Sequence, residues 1–407
     1  MHLLFWIGFL LLAGYISGRL SERFRLPKVT GYLLVGLLLS PSVSGLLPPV
    51  FMEKSEGIVH FALAVVAFMI GASLKLEKVR KLEKSILAIM VAEAELSFFF
   101  VAGGMMLLLP FVFPVSSYTG GTEHTLMVPL FLGAISAATA PAAVLAVVHQ
   151  YRARGPLTLT LLGVVATDDA AALINFSVVL GAGALLMGLS EGPIYMALLD
   201  PLVNIGASVA FGVAVGWLQG RHLDAIASQS GAVISSVGLL LLLYGAMDAF
   251  GWDGLLAAMS YGMMLVNTTA RSDEMFSVIR RHYEEMIFVL FFLISGATME
   301  LEVIREVWPV ALLYVGFRIL GKMIGSRIGA RLSGAPETVR RYIGPALMPQ
   351  AGVAIGLALI LYHHREFGGI GVIVLNTIIA ATVINELIGP LLLKAMLVKA
   401  NEVEEGR

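Results

Sequence analysis

Apolar runs of about twenty residues follow one another along the whole chain, and this recurrence limits the fold more than any single motif does. Inside hydrocarbon, backbone N–H and C=O groups have no water to bond, so a chain of such runs must satisfy them within helices or a closed barrel. Runs this long are helical, and the reading places about thirteen of them. They lie at roughly 2–18, 29–46, 58–74, 85–109, 127–149, 157–180, 193–217, 230–249, 252–267, 282–299, 307–330, 341–361 and 368–397. Composition points the same way: 58% hydrophobic and 14% charged residues, with mean hydropathy +0.88 over 407 residues, exclude an ordinary soluble domain. The first run has no Lys or Arg before it, which is wrong for a cleaved leader, so it is read as a retained helix. Absence of cysteine rules out disulfides and thiolate metal sites. The expected fold is therefore an all-α polytopic membrane protein in one domain, 1–407. Its surroundings are membrane lipids, and no nucleic-acid partner is expected.

Orientation follows from the basic residues, which collect on cytoplasmic loops. With the N-terminus outside, the inner segments hold Arg19 to Lys28, Lys75 to Lys84, Arg152 and Arg154, Arg221, Arg271 to Arg281, Arg327 to Arg341, and Lys394 to Arg407. Only Lys54, Arg305 and Arg365 remain outside, while Arg318 and Lys322 fall within a span. An odd error in the span count would put every later loop on the wrong side. The expected topology is N-terminus outside and C-terminus cytoplasmic, in the inner or plasma membrane of a prokaryote.

Against this background Asp168 and Asp169 stand out, adjacent carboxylates inside the apolar stretch Gly163–Val179. A charge at bilayer depth costs roughly 2.5 kcal/mol or more, so a pair there marks a functional site. The other charges within spans are Glu93 and Glu95, Glu386, Arg318 and Lys322. Lys322 is the natural partner of the aspartates, because together they leave less charge uncompensated than any of them alone. Two neighbouring carboxylates cannot both ionise cheaply, so such a site can trade a proton for a cation. Oxygen ligands without thiols or a histidine cluster suit Na⁺, K⁺ or Li⁺. Arg318 lies one turn from Lys322 and is alternatively structural or snorkelling. Glu93 and Glu95, two residues apart, face different sides of their helix, and at most one of them points at a shared site. Glu386 is alternatively a packing residue against a neighbouring helix. Thr139 and Thr167 either bond their own helices or touch the ion. Of the scattered histidines, His149 and His282 are candidates for pH sensing on the inner side.

Two further patterns belong together. Phe68–Arg80 (FMIGASLKLEKVR) aligns with Leu293–Arg305 (LISGATMELEVIR), matching Gly71 to Gly296 and Leu76-Glu77 to Leu301-Glu302, and the loop assignment gives the two copies opposite orientations. Inverted repeats of this kind build midplane sites in secondary transporters, where paired helices are interrupted by Gly or Pro. Candidate interruptions are Ala140-Pro141 and, later, Pro349-Gln350 followed by Gly352. Proline removes a donor and frees a carbonyl four residues back. The alternatives are chance similarity for the repeat and a simple proline kink for each interruption.

The run Arg25–Pro41 (RLPKVTGYLLVGLLLSP), with Thr139-Ala140-Pro141, Thr167-Asp168-Asp169 and Gly321-Lys322 in that order, resembles the monovalent cation:proton antiporter superfamily, in the branch of the NapA-type and Kef-type exchangers. The resemblance covers nearly the whole chain. It implies a thirteen-helix homodimer of NapA/NhaA-like fold, with two inverted repeats and crossed broken helices. The core is drawn at about 58–180 and 282–397 and the dimerisation scaffold at about 1–46 and 193–267. It also implies elevator-like alternating access, with Asp169 as the main ion- and proton-binding carboxylate, Asp168 its neighbour, and Lys322 pairing with Asp168 when the ion is absent. Asp-Asp with a lysine is the combination associated with electrogenic exchange. Two departures bear on the ligand set: Ala140 stands where relatives with a Thr-Asp-Pro break have an acid, and Pro349–Val353 lacks the Arg and Glu many relatives carry there. The short tail after Lys399 implies no nucleotide-binding regulatory domain.

The expected function is secondary Na⁺(Li⁺)/H⁺ antiport, with proton and cation competing for Asp169. A K⁺/H⁺ exchanger differs from it only in cavity size. A passive cation channel, or a membrane sensor on the same fold, is the reading of another class. No resident cofactor is expected, and no nucleophile–base pair or His-Glu-x-x-His motif suggests an enzyme.

Overall fold

The computed structural model describes the chain apart from residues 1–2, 80–81, 113–125, 187–193, 224–225, 227, 299–300, 364–366 and 404–407. The described residues form helices and no strand: α1 (Leu3–Arg23), α2 (Lys28–Leu39), α3 (Pro49–Ser73), α4 (Leu76–Val79), α5 (Glu83–Val112), α6 (Met127–Ile135), α7 (Pro141–Gln150), α8 (Pro156–Leu186), α9 (Ile194–Leu223), α10 (Gln229–Ala249), α11 (Gly254–Thr268), α12 (Arg271–His282), α13 (Glu284–Ala297), α14 (Leu301–Leu332), α15 (Glu337–Ala346), α16 (Gly352–His363) and α17 (Gly369–Lys399). Among them eight are long and apolar enough to cross a membrane: α1, α3, α5, α8, α9, α10, α14 and α17. α2, α7 and α16 are apolar but shorter. Local signals start several helices. Proline, whose missing N–H costs nothing there, opens α3, α7 and α8, while Ser228 and Asp253 cap α10 and α11 by accepting from Gly231 N and Leu256 N.

Packing divides the chain into two compact units, Met1–Lys81 with Pro141–Tyr151 and Val203–Met299, and Leu82–Ala140 with Arg152–Leu202 and Glu300–Arg407. In the first, α3 lies against α11 and α2 against α13. Both crossings close on glycine. A Cβ at Gly71 would fall on the Met259 carbonyl and one at Gly262 on that of Phe68, and Gly36 and Gly296 stand in the same relation to Leu293 and Leu33. Lipid tails are as apolar as leucine, so close backbone approach through small residues is what joins such helices. The matched glycines of the repeat, Gly71 and Gly296, thus each have a packing role within the first unit. Arg80 and residues 299–300 of the aligned segments lie outside the described residues. At the end of α7, His149 meets the carboxylate of Glu284, and Gln150 Oε1 accepts from Lys28 N at 2.8 Å. His282 stands at the exposed end of α12.

The second unit is built on α5 and α14, which run side by side. Gly321, Gly325 and Gly329, four residues apart on one face of α14, are pressed onto the backbone of α5 at Ser97, Ala92 and Ala88. α17 packs against α14, and α8 against α5 and α6. Phe131 of α6, Phe176 of α8 and Phe367 meet edge to face or tilted in the apolar core. The sequence-predicted spans 127–149 and 341–361 are each two helices, separated at 136–140 and 347–351.

The far end of the chain completes this unit. After α17 the backbone turns at Asn401, with φ +55, and the Glu402 carboxylate accepts from Leu157 N, Thr158 N and Thr158 Oγ1, each at 2.7 Å. These are first-turn donors of α8 with no partner inside the helix, and a negative charge suits that end of its dipole.

Two measurements check this packing. Gly325→Ala forces α5 and α14 apart and is expected to cost about 1–3 kcal/mol in thermal unfolding of the detergent-solubilised protein, whereas Gly245→Ala, whose Cβ meets open space, leaves stability unchanged or higher. Glu402→Ala is expected to cost about 1 kcal/mol, as loss of a helix cap does, with faster hydrogen exchange concentrated at the amides of Leu157 and Thr158.

Candidate ion-binding site

The two interruptions meet. Ala140 N donates to Pro349 O at 2.9 Å, tying one non-helical segment to the other. Their carbonyls, no longer consumed by a helix, need donors in an apolar surrounding, and two buried cations of α14 supply them. Arg318 donates from Nε to Ser136 O at 2.9 Å, from one terminal nitrogen to Ala138 O at 2.8 Å, and from the other to Met348 O at 2.9 Å. It is 0% exposed, so it does not snorkel; it clips the C-terminal ends of α6 and α15, where a positive charge also complements the helix dipoles. Gln350 is spent on the same frame, donating to Tyr314 OH at 2.8 Å and accepting from Asn385 at 3.0 Å.

Lys322, one turn further along α14, takes the carbonyl that Pro141 frees: its Nζ lies 2.7 Å from Ala137 O. Its other donors reach Glu93 Oε2 at 2.6 Å and Thr139 Oγ1 at 2.9 Å. The Thr139 hydroxyl in turn donates to Asp168 Oδ2 at 2.5 Å. Lys322 and Asp168 are 3.6 Å apart, an ion pair beyond hydrogen-bond distance. Glu93, Asp168 and Lys322 are all 0% exposed, and Asp169 is 5% exposed. Asp168 Oδ1 and Glu93 Oε1 are buried without a hydrogen-bond partner among the described residues.

The structure therefore gathers Asp168, Thr139, Lys322 and Glu93 at the break ending in Ala140-Pro141, with Asp169 next on the same helix and Pro349 bonded across. Thr167 is not drawn in: its hydroxyl bonds Gly163 O and Val164 O of its own helix. Glu95 is partly exposed on another face of α5, as two-residue spacing requires. Glu386 is fully buried on α17, beside Asn385. Spacing alone leaves Glu93 and Glu95 equivalent, and the structure places Glu93 as the nearest acid to Lys322. A signal for it existed: the Gly321-x₃-Gly325-x₃-Gly329 pattern marks the face on which α14 lies against another helix, and Glu93 sits among the small residues Ala92 and Ala94.

Buried carboxylate and carbonyl oxygens beside a paired ammonium have the chemistry that suits a small desolvated cation or protons. A sequence model described as sodium/hydrogen exchanger, transmembrane, matches residues 7–399. The chain belongs to the sodium/hydrogen exchanger family. Relatives include the Na⁺/H⁺-K⁺ antiporter GerN of Bacillus cereus, 25% identical over 92% of each chain. Another is Na⁺/H⁺ antiporter 1 of Methanocaldococcus jannaschii, 23% identical over 94% of this chain and 91% of that one. A third is the ammonium/H⁺ antiporter subunit AmhT of Alkalihalophilus pseudofirmus, 22% identical over 87% of this chain and 85% of that one. The fold is that of the sodium proton antiporter MjNhaP1 from M. jannaschii, with TM-score 0.79 at 18% identity over 98% of both chains. This family membership, with the apolar helices, makes the chain an integral membrane protein.

The clip on the breaks is testable. Arg318→Met takes the arginine donor from the buried carbonyls of Ala138 and Met348 and leaves that of Ser136 with the Ser97 hydroxyl at 3.5 Å; it is expected to lower stability by about 3 kcal/mol, read as thermal unfolding in detergent, while Arg331→Met at the exposed end of α14 stays within about 0.5 kcal/mol of wild type.

Proposed function

We propose that the protein exchanges Na⁺, and Li⁺ with it, for protons across a prokaryotic plasma membrane, its N-terminus outside and its C-terminus in the cytoplasm. The observation that carries this reading is the buried Asp168–Asp169 pair beside two joined helix interruptions. Cation and proton compete for Asp169, with Asp168 and Thr139 at its side, so neither leaves without the other replacing it, and that competition is the coupling. The two adjacent carboxylates release two protons for one sodium ion, which makes the exchange electrogenic. The names of the M. jannaschii and B. cereus relatives support antiport of a monovalent cation against protons.

The transport cycle proposed is elevator-like, in a homodimer of thirteen-span subunits built from two inverted repeats. The core at about 58–180 and 282–397, which holds both interruptions, the aspartates and Lys322, is the moving body, and the segments at about 1–46 and 193–267 contribute the dimerisation scaffold. Nothing is transformed chemically: the protein is a carrier, not an enzyme. K⁺/H⁺ exchange is the second reading, favoured by the name of GerN, whose antiport includes K⁺. A passive channel or a sensor on the same fold would move cations without protons, or move neither.

The test is proton movement in proteoliposomes holding a pH-sensitive dye, with Na⁺, Li⁺ or K⁺ added in turn. Wild type is expected to show cation-driven recovery with Na⁺ and Li⁺, and Asp169→Asn to abolish it. Recovery unchanged in the variant, or absent in wild type with all three ions, overturns the reading. Recovery with K⁺ alone selects the second one.

A further inference from the structure

A lysine beside an aspartate pair poses a problem for any cation that binds there. If the ammonium rests on the carboxylate, the ion must first displace it, and the two positive charges compete at contact distance. Here the ammonium does not rest on Asp168. Its three N–H donors are filled by Glu93, the Ala137 carbonyl and the Thr139 hydroxyl, at 2.6, 2.7 and 2.9 Å, and Asp168 lies outside hydrogen-bond distance at 3.6 Å. The Thr139 hydroxyl stands between the two, accepting from Lys322 and donating to Asp168 Oδ2; among the described residues Asp168 Oδ1 has no hydrogen-bond partner. Among the described residues Glu93 is the acid hydrogen-bonded to Lys322, and the close packing of Gly321 and Gly325 on α5 fixes it there.

We propose that Glu93 is the positioning residue of the site: it holds the Lys322 ammonium off Asp168, so that a monovalent cation reaches the aspartates without displacing a lysine. The proposal rests on the exchange reading above and adds to it which acid neutralises the lysine. The mechanism follows from charge balance. Without the Glu93 carboxylate the nearest anion to Lys322 is Asp168, and a buried ammonium moves towards its nearest counter-charge. The cation then has a competitor, and its affinity falls while the carrier's other steps are untouched.

The experiment compares wild type, Glu93→Gln, Glu93→Asp and the double variant Glu93→Gln/Lys322→Gln, purified whole. Na⁺ binding is read as Na⁺-dependent thermal stabilisation, and transport as the Na⁺ dependence of dye recovery. Glu93→Gln is expected to raise the half-saturating Na⁺ concentration about tenfold in both assays, with a maximal rate within about twofold of wild type. Glu93→Asp keeps the charge and is expected to stay within about threefold of wild type. The double variant has no ammonium to fall onto Asp168, so its Na⁺ half-saturation for stabilisation returns to within about threefold of wild type, a coupling that a separate structural role of Glu93 does not produce. Because both members of the pair are removed together, the double variant also tolerates the change better than the single one, and it decides the matter should Glu93→Gln fail to fold. Wild-type half-saturation in Glu93→Gln, a loss confined to maximal rate, or a double variant as weak as the single overturns the proposal. A wild-type protein that Na⁺ neither stabilises nor drives to move protons overturns the exchange reading itself, and this proposal with it.

Discussion

A helix that stops inside an apolar layer exposes carbonyl oxygens, and the rest of the second unit is arranged around that debt. Ser136, Ala137, Ala138 and Met348 all present carbonyls that a continuous helix would have bonded internally, and all four are met by Arg318 or Lys322. Both cations come from one helix, one turn apart, so a single element fixes both interruptions. The arrangement is mutually dependent. Removing the breaks would leave two buried cations stranded, and removing the cations would take their donors from the buried carbonyls of Ala137, Ala138 and Met348 and leave Ser136 only the longer bond from the Ser97 hydroxyl.

Division of labour between the two cations follows from what each touches. Among the described residues Arg318 hydrogen-bonds main chain alone, so its planar fork works as scaffolding. Lys322 contacts main chain on one side and acids on the other, and its compact ammonium belongs both to the frame and to the site. Glycine makes this possible: α14 can bring a lysine to within hydrogen-bond distance of Glu93 only because Gly321, Gly325 and Gly329 let its backbone touch α5.

Much of this was legible in the residues. Asp168, Lys322 and the two interruptions stand out because a buried charge and a proline in an apolar run are each costly, and Thr139 is drawn in by its place beside the break at Ala140-Pro141. Glu93 was harder to separate from Glu95, since spacing says only that they face apart and not which of them faces the lysine; that choice is made by the glycine face of another helix more than two hundred residues away in sequence. Thr167 shows the converse. A threonine before two aspartates suggests a ligand, yet a helix offers its hydroxyl carbonyls one turn back, and the local bond wins. Arg318 was ambiguous for a third reason: its partners are backbone atoms, which leave no trace in residue identity. The division into units was likewise invisible, because glycines at positions 71 and 296 say that something approaches closely but not which helix does.

The Glu402 cap has a consequence for how the protein is made. The helix that carries both aspartates starts at Pro156, but its first-turn amides wait for a carboxylate 245 residues further along the chain. During synthesis α8 is therefore made with its first turn uncapped, and the acid pair sits on a helix whose start is unfinished until Glu402 has been translated. Closure of that end has to follow synthesis of α17, and it links the order in which the second unit is assembled to the arrival of that helix.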